Sequence, residues 1–442
     1  MGQQKRNRYR MQAGVAFLLI LVLLAASWPA AVQGQGPDAE LARFREVRRS
    51  EPEAVPPFSE IRTESITPEA WHLWQTETIE GGCESTGGYT SLALDERGRP
   101  HISYFDQSYR ALRYAYFDGM AWRIQTVDSS IQYDVGEHTS LALDENGWPH
   151  ISYHGGADLR YAYFDGSTWY TETVDSTAEV GIDTSLALDK DGWPHVSYLD
   201  VTNYDLKYTY FDGSSWHIET VDSAGDVGWS SSLALDAMGH PHISYFDYTN
   251  LSLKYAYFNG ETWQFETVDR AEWAGLYSSL ALDKDDRPHI SYHHGYPDND
   301  LKYAYFDGSS WHIEVVDSTG SVGEYDSLAL DELGWPHISY LDATNQGLKY
   351  AYFDGLSWRI EAVDTGGWAG FHTSLALDTS GQPHISYAAG DFHSDLRYAH
   401  FDGTTWQIET VDSAGDAGQY VSLALDVHGL PHMGCLLYTS PS

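Results

Sequence analysis

The chain repeats one pattern of strand-forming residues about every 47 residues, and this period constrains the fold more than any other feature. One copy contains SLALD at 232–236, PHISY at 241–245, LKYAY at 253–257 and WQFETVD at 263–269. The aspartate that ends the first segment recurs at 95, 144, 189, 236, 283, 331, 378 and 426, and the tryptophan that opens the last one at 74, 122, 169, 216, 263, 311, 358 and 406. A period of this length is typical of solenoids, propellers and arrays.

Each unit contains four short apolar segments separated by turn residues. The first two are joined by turns such as DENGWP at 144–149, and the last two by tighter turns such as FDGSSW at 211–216. Valine, isoleucine, tyrosine, tryptophan and threonine fill the segments, as is typical of β-strands. Four antiparallel strands per unit, labelled a to d in chain order, predict an all-β fold, a β-propeller of four-stranded blades. We expect the small-residue strand a to be innermost and the polar strand d to be outermost.

The number of units predicts eight blades. A lone strand d is expected at 74–80, seven full units occupy 91–412, and a partial unit with strands a and b follows at 422–432. If the N-terminal strand closes the last blade, that blade is truncated and lacks strand c. A seven-bladed ring with surplus strands is the alternative. Residues 433–442 depart from the repeat, and we interpret them as an artefact of truncation.

The N-terminal region is typical of a secreted protein. Residues 1–34 combine basic residues, a short apolar run and small residues, which predicts a secretory signal peptide and no membrane insertion after its removal. Residues 35–70 are polar and proline-rich and are predicted to be a linker before the propeller at 71–432. We therefore expect a secreted, extracellular or cell-surface protein.

Charge and cysteine content limit the possible partners. The formal net charge of −39 argues against binding to nucleic acid or to anionic membranes. Cys83 and Cys435 are the only cysteines in the sequence. Secretion would permit a disulfide between them, but the sequence does not decide whether they pair, and it predicts no cysteine-based metal site.

The two faces of the propeller differ in sequence. The a–b and c–d turns are nearly identical in every unit, whereas the b–c and d–a loops vary, and binding residues are often found on such loops. Aromatic rings that can stack on a pyranose, next to aspartate and histidine, suggest sugar binding, although the rings could instead pack between loops. The candidate ligand-binding residues are Trp229, Trp273, Trp368, Tyr277, Tyr325, His154, His293 and His294.

The histidines give little support for a metal site. The histidine of each PHISY segment belongs to a different blade, so a hydrogen-bonded structural role is expected. His293 and His294 are adjacent in a strand, where neighbouring side chains point to opposite faces. We therefore predict no metal and no cofactor.

The turn between strands c and d resembles motifs of two propeller families. DGSTW at 165–169 and DGSSW at 307–311 resemble the Asp-box (BNR) repeat of sialidase-like proteins, with one residue fewer between aspartate and tryptophan. They also resemble the Asp-Gly-x-Trp turn of fucose-binding lectins. These resemblances imply a propeller and glycan recognition. The arginine triad that sialidases would imply and the recurring arginine ligands that the lectins would imply have no counterpart here, because the arginines are scattered.

We therefore predict a secreted, non-enzymatic β-propeller that binds a glycan or another extracellular partner through the variable-loop face. One alternative is a propeller glycoside hydrolase or polysaccharide lyase, although no catalytic motif is recognisable and no carboxylate pair stands out. Another is a cell-surface structural or protein-interaction module. An enzyme would need unlike polar groups gathered at one place, such as His293 or His294 with a neighbouring aspartate.

Overall fold

A computed structural model describes residues 41–49, 74–81, 86–390 and 394–439. Every regular element in these segments is a β-strand, and no helix able to cross a membrane was found in them. The strands of blades 1 to 4 are β3 (Thr86–Leu94), β4 (Pro100–Asp106), β5 (Ala111–Phe117), β6 (Trp122–Ser129); β7 (Glu137–Leu143), β8 (Pro149–His154), β9 (Leu159–Phe164), β10 (Trp169–Asp175); β11 (Val180–Leu188), β12 (Pro194–Asp200), β13 (Asp205–Phe211), β14 (Trp216–Asp222); β15 (Val227–Leu235), β16 (Pro241–Asp247), β17 (Ser252–Phe258) and β18 (Trp263–Asp269).

The remaining blades repeat this arrangement. Their strands are β19 (Ala274–Leu282), β20 (Pro288–His294), β21 (Asp300–Phe306), β22 (Trp311–Asp317); β23 (Val322–Leu330), β24 (Pro336–Asp342), β25 (Gly347–Phe353), β26 (Trp358–Asp364); β27 (Ala369–Leu377), β28 (Pro383–Ala389), β29 (Asp395–Phe401), β30 (Trp406–Asp412); and, for blade 8, β31 (Asp416–Leu425), β32 (Pro431–Thr439), β1 (Leu41–Arg49) and β2 (Trp74–Gly81). In blades 1 to 7 the four strands pair antiparallel in chain order.

Blade 8 combines the two ends of the described chain. The C-terminal unit supplies only β31 and β32, as the partial last unit predicts, and β2 is the predicted lone strand d. As expected of a truncated last unit, the C-terminal unit supplies no strand c of its own, and β1 pairs with both β32 and β2. Without β1, the backbone hydrogen-bonding groups at the inner edge of β2 and the outer edge of β32 would be left unpaired.

Propeller strands therefore extend on both sides of residues 71–432. β1 lies within the stretch predicted as a linker, and β32 continues through residue 439 into the stretch predicted as a non-repeat tail. The predicted signal peptide and Cys83 lie outside the described residues. Secretion therefore stays a prediction, and the structure does not test whether Cys83 and Cys435 pair.

The innermost strands close a ring. Strand a of each blade contacts strand a of the next, from β3 through β7, β11, β15, β19, β23 and β27 to β31, and β31 contacts β3. The predicted eight-bladed propeller is confirmed by this closed cycle of sheets. Because adjacent strands are antiparallel, the a–b and c–d turns share one face and the b–c and d–a loops share the other.

The core lies between neighbouring blades. Strand b is buried along its whole length, as in β12 and β20, whereas strand d alternates between exposed and half-buried positions. Each boundary contains an apolar cluster such as Leu206, Val227, Ile243 and Tyr245, which joins residues of blades 3 and 4. The burial of both faces explains why strands b and c carry so many aromatic residues.

Two repeated polar contacts stabilise the blades. The histidine of each of seven PHISY segments pairs through Nδ1 with a tyrosine hydroxyl of strand c, as in His195 with Tyr208, which confirms the expected structural role. Burial lowers the pKa of six of these histidines, to about 4 for His101; the six are His101, His150, His195, His242, His289 and His337. The tyrosine of the same segment donates to an aspartate at the end of strand d in the preceding blade, as in Tyr292 to Asp269 at 2.8 Å.

The turn tryptophans link successive blades at the outer rim. Trp216 donates through Nε1 to Glu172 of the preceding blade at 2.7 Å and lies edge-on to Tyr161, with ring centroids 5.0 Å apart. At the closure of the ring, Trp74 in β2 makes the same contacts with Glu409, at 2.8 Å, and with Tyr398, at 5.0 Å. β2 therefore packs on blade 7 in the same way as β14, the strand of Trp216, packs on blade 2.

Candidate functional site

Every strand a has an irregularity near its start, at the variable-loop face. In β19 the register with β20 shifts between Leu276 and Ser279, and Tyr277 at this bulge has a φ of 55°. The equivalent residues of the other blades also have positive φ: Tyr89, His138, Asp183, Ser230, Tyr325, His372 and Tyr420. Non-glycine residues rarely adopt this conformation, and bulges of this kind change the direction of a side chain.

These eight residues form a collar around the propeller axis. Ring centroids are 5.1 Å apart for Tyr277 and Tyr325, 4.8 Å for Tyr325 and His372, and 5.1 Å for His372 and Tyr420. The series continues through Tyr420 and Tyr89 at 5.1 Å, and Tyr89 and His138 at 4.5 Å. Six consecutive blades thus contribute one aromatic ring each, at separations usual for interacting aromatic pairs.

The collar also has a polar arc. His138 Nδ1 lies 3.1 Å from Asp183 Oδ1, and the backbone N–H of Ser230 donates to Asp183 Oδ2 at 3.4 Å. The exposed fraction of Tyr277 is 39% and that of Tyr420 is 36%, so parts of the aromatic arc face solvent. Burial lowers the pKa of His372 to about 4, so this ring is neutral at pH 7. The collar therefore combines apolar ring faces with hydrogen-bonding groups.

The predicted candidates are only partly brought together. Tyr277 and Tyr325 are neighbours in the collar, but Trp229 is one position away from it, because Ser230 occupies the collar position of blade 4. Trp229 Nε1 donates to Asp226 at 2.6 Å. Trp273 stacks on Phe246 at 6.3 Å, and Trp368 stacks on Phe371 at 5.9 Å. The three tryptophans belong to different d–a segments and are engaged in local contacts.

The histidine candidates end their b strands. His154 and His293 occupy equivalent positions in blades 2 and 5, and both are buried. His154 Nδ1 lies 3.6 Å from Glu137, beyond hydrogen-bonding distance. Within the described part of the chain, neither ring nitrogen of His154 or of His293 has a hydrogen-bond partner. The His293 ring is 6.4 Å from the ring of Tyr277. His294 points to the other face of the blade, as the alternation of strand residues requires.

One functional candidate, Asp326, was missed by the sequence analysis. In blades 2 to 5 and 7 its position carries a serine or threonine whose hydroxyl bonds a strand b serine of the preceding blade, as in Ser231 with Ser197 at 3.0 Å. Asp326 instead accepts a hydrogen bond from Ser291, and its Oδ1 is buried without a partner from another of the described residues. Burial raises the pKa of Asp326 to about 8. The signal available in the sequence was this single acidic residue in a column of hydroxyl residues that ends in Val421.

Asp326, Ser291, His293, Tyr277 and Tyr325 form a group that we call the inner cluster. Ser291 and His293 are two residues apart in β20, so both side chains face blade 6, which supplies Asp326 and Tyr325. Burial, followed by the nearby His294, lowers the pKa of His293 to about 4. The inner cluster thus places a carboxyl that stays protonated at pH 7 and an imidazole that stays neutral at the same blade boundary.

Comparisons with known proteins give only distant structural similarities. Neither the scan of family models nor the search of curated proteins gives a match for this sequence. Similar solved structures include an ulvan lyase from a new family of polysaccharide lyases, with 13% identity, coverage of 74% of this chain and 94% of that chain, and a TM-score of 0.45. The SapL1 lectin in complex with alpha methyl fucoside has 16% identity, coverage of 63% and 97%, and a TM-score of 0.39.

A third similar structure is the fucose-specific lectin from Aleuria aurantia, with 15% identity, coverage of 63% of this chain and 95% of that chain, and a TM-score of 0.37. At these identities and TM-scores, the similarity transfers no binding residue to this chain.

Proposed function

We propose that this protein is a secreted glycan-binding propeller whose ligand contacts the collar on the variable-loop face. The observation that supports the proposal is the uninterrupted arc of aromatic rings from Tyr277 to His138, closed by the polar Asp183 and Ser230. Flat rings offer apolar faces for the C–H side of a sugar, and the polar arc offers hydrogen-bond partners for its hydroxyls.

Local backbone geometry also supports a ligand-binding role for the collar. Eight non-glycine residues at positive φ, one per blade, place these side chains at the axis. Unusual backbone conformations cost of order 1–3 kcal/mol each and are concentrated at functional sites. The collar lies on the face of the b–c and d–a loops, which vary between blades, whereas the a–b and c–d turns on the other face are uniform.

Binding to a glycan array tests the proposal. We expect Tyr277→Ala combined with Tyr325→Ala to weaken glycan binding at least about tenfold, because two adjacent ring faces are removed. Tyr170→Ala removes an exposed tyrosine from an outer strand and serves as the matched control. No binding to any glycan, or equal binding by the collar variant and the control, would contradict the proposal.

The inner cluster favours a second candidate function, cleavage of a glycan. Asp326 could donate a proton and His293 could accept one, because their environments shift their pKa values in opposite directions, to about 8 and about 4. The pH profile of such an activity would be bell-shaped. Activity would be lost below a pH of about 4, where His293 becomes protonated, and above a pH of about 8, where Asp326 becomes ionised.

Incubation with a panel of polysaccharides, followed by chromatography of the products, tests this candidate. We expect His293→Gln and Asp326→Asn to abolish product formation while glycan binding at the collar persists. His154→Gln, at the equivalent position of blade 2, is the matched control. Absence of product with every polysaccharide would leave binding as the function, and activity unaffected by His293→Gln would refute the assignment of the cluster.

A further inference from the structure

We propose that His294, Asp298 and Asp300 form a binding site for a divalent transition-metal ion at the b–c loop of blade 5. Each of the three side chains offers a ligand atom, and these atoms all lie within 4.8 Å of one another. His294 ends β20 and Asp300 begins β21, where the two are paired in register, and Asp298 belongs to the connecting loop. The three groups are therefore held by one strand–loop–strand segment.

The site is a departure from the repeat. At the position of His294, blades 1, 3, 4 and 6 have Asp106, Asp200, Asp247 and Asp342. These aspartates bind their own b–c turns: Asp200 Oδ1, for example, accepts hydrogen bonds from the backbone N–H groups of Thr202 and Asn203 at 3.0 and 2.8 Å. Blade 5 replaces this turn-capping carboxylate with an imidazole and places a carboxylate in the loop in front of it.

The imidazole of His294 is directed at the carboxylates without making a hydrogen bond. Its side chain is only 5% exposed, and Nδ1 lies 3.7 Å from Asp298 Oδ2, beyond hydrogen-bonding distance. None of the described residues forms a hydrogen bond with this buried nitrogen. A buried polar atom without a partner costs free energy. Coordination to a metal ion would satisfy this atom.

Charge around the site also favours a cation. Asp298 and Asp300 place two carboxylates beside the imidazole. Lys302, in the same strand as Asp300, is paired with Asp269 of the preceding blade at 2.9 Å. In blade 6 the equivalent Lys349 bridges two aspartates, Asp317 and Asp342, and His294 takes the place of the second of these aspartates in blade 5.

The ligand set indicates the class of metal. One imidazole nitrogen and two carboxylate oxygens suit Zn²⁺ and similar transition ions, whereas Ca²⁺ prefers six to eight oxygen ligands. Three protein ligands leave a coordination position for water or for a group of a bound molecule. Bonds of about 2.0–2.2 Å bring ligand atoms to roughly 3.3 Å from one another, so a small movement of the exposed Asp298 side chain would complete the site.

Isothermal titration of the tag-free protein with Zn²⁺, Mn²⁺ and Ca²⁺ tests the proposal. We expect one Zn²⁺ per chain, with a higher melting temperature in its presence. Asp298→Asn, which changes a side chain that is 58% exposed, should leave the fold intact and weaken Zn²⁺ binding at least about tenfold, since even changes outside the ligand set typically cost 10–100-fold. His294→Gln should abolish the titrated site.

The matched control is His217→Gln. His217 and Asp212 form an exposed histidine–carboxylate pair at 2.6 Å on a c–d turn, without the second carboxylate. This variant should bind Zn²⁺ as the unmodified protein does. Absence of stoichiometric binding, or Zn²⁺ affinity that falls with His217→Gln but not with Asp298→Asn, would overturn the proposal, and preference for Ca²⁺ would overturn the class of metal.

Discussion

At the scale of single residues, the informative positions are those that depart from the repeat. Tyr277 was predicted as a site residue because it is an aromatic residue on the variable-loop face, and His293 because it departs from the repeat. Both belong to the inner cluster. Asp326 was missed because the burial of a carboxyl is not visible in a sequence. Trp229 was also predicted, but it precedes the aspartate of its unit by seven residues, whereas each collar residue precedes that aspartate by six, so Ser230 is the collar residue of blade 4.

Asp326 predicts an unusual dependence of stability on pH. In the folded state its pKa is raised to about 8 by burial, whereas an aspartate in an unfolded chain ionises near pH 4. Between these values unfolding releases a proton, so this group makes the folded state less stable as the pH rises, by up to about 1.4 kcal/mol per pH unit. Below pH 4 the effect disappears.

Asp326→Thr introduces the threonine that blades 1, 2, 3 and 7 carry at this position and should remove this pH dependence. The difference between the free energies of unfolding of the variant and of the unmodified protein should increase by about 2–4 kcal/mol from pH 5 to pH 8, because only the unmodified protein loses this stability. Urea denaturation at both pH values measures it, with the exposed Asp191→Asn as control. Parallel stability profiles for the unmodified protein and Asp326→Thr would show that Asp326 is ionised in the folded state.

At the scale of strands, the sequence predicted the strands that recur in every unit, but it did not predict β1, which lacks the repeat. Strands b, c and d were located from PHISY, the aromatic segment and the turn tryptophan, because each buries the same side chains in every blade. β1 lacks these patterns and was assigned to a linker. It is nevertheless paired along both edges, with β32 and with β2, since blade 8 has a vacant position between them. β1 forms because strands that are distant in the sequence pair with it, and a short stretch of sequence gives no signal of such pairing.

At the scale of the whole molecule, the closed ring depends on the contacts of blade 8 with blade 7 on one side and with blade 1 on the other. Blade 8 is held on one side by the contacts of β31 with β27 and on the other by those of β3 with β31 and β32. A closed propeller has no free blade surface, so each boundary should contribute similarly to stability. The boundary between blades 7 and 8 is the place to test this equivalence, because β2 reaches it from the opposite end of the chain.

Trp74 and Trp216 form a matched pair for that test, because both donate to a glutamate of the preceding blade and lie edge-on to a tyrosine at 5.0 Å. Replacement of either by phenylalanine removes a hydrogen bond to a charged group, for an expected loss of about 1–3 kcal/mol. We expect similar decreases in the urea midpoint for Trp74→Phe and Trp216→Phe, and little change for Trp148→Phe at an a–b turn. A decrease for Trp216→Phe alone would mean that β2 does not close the ring in solution.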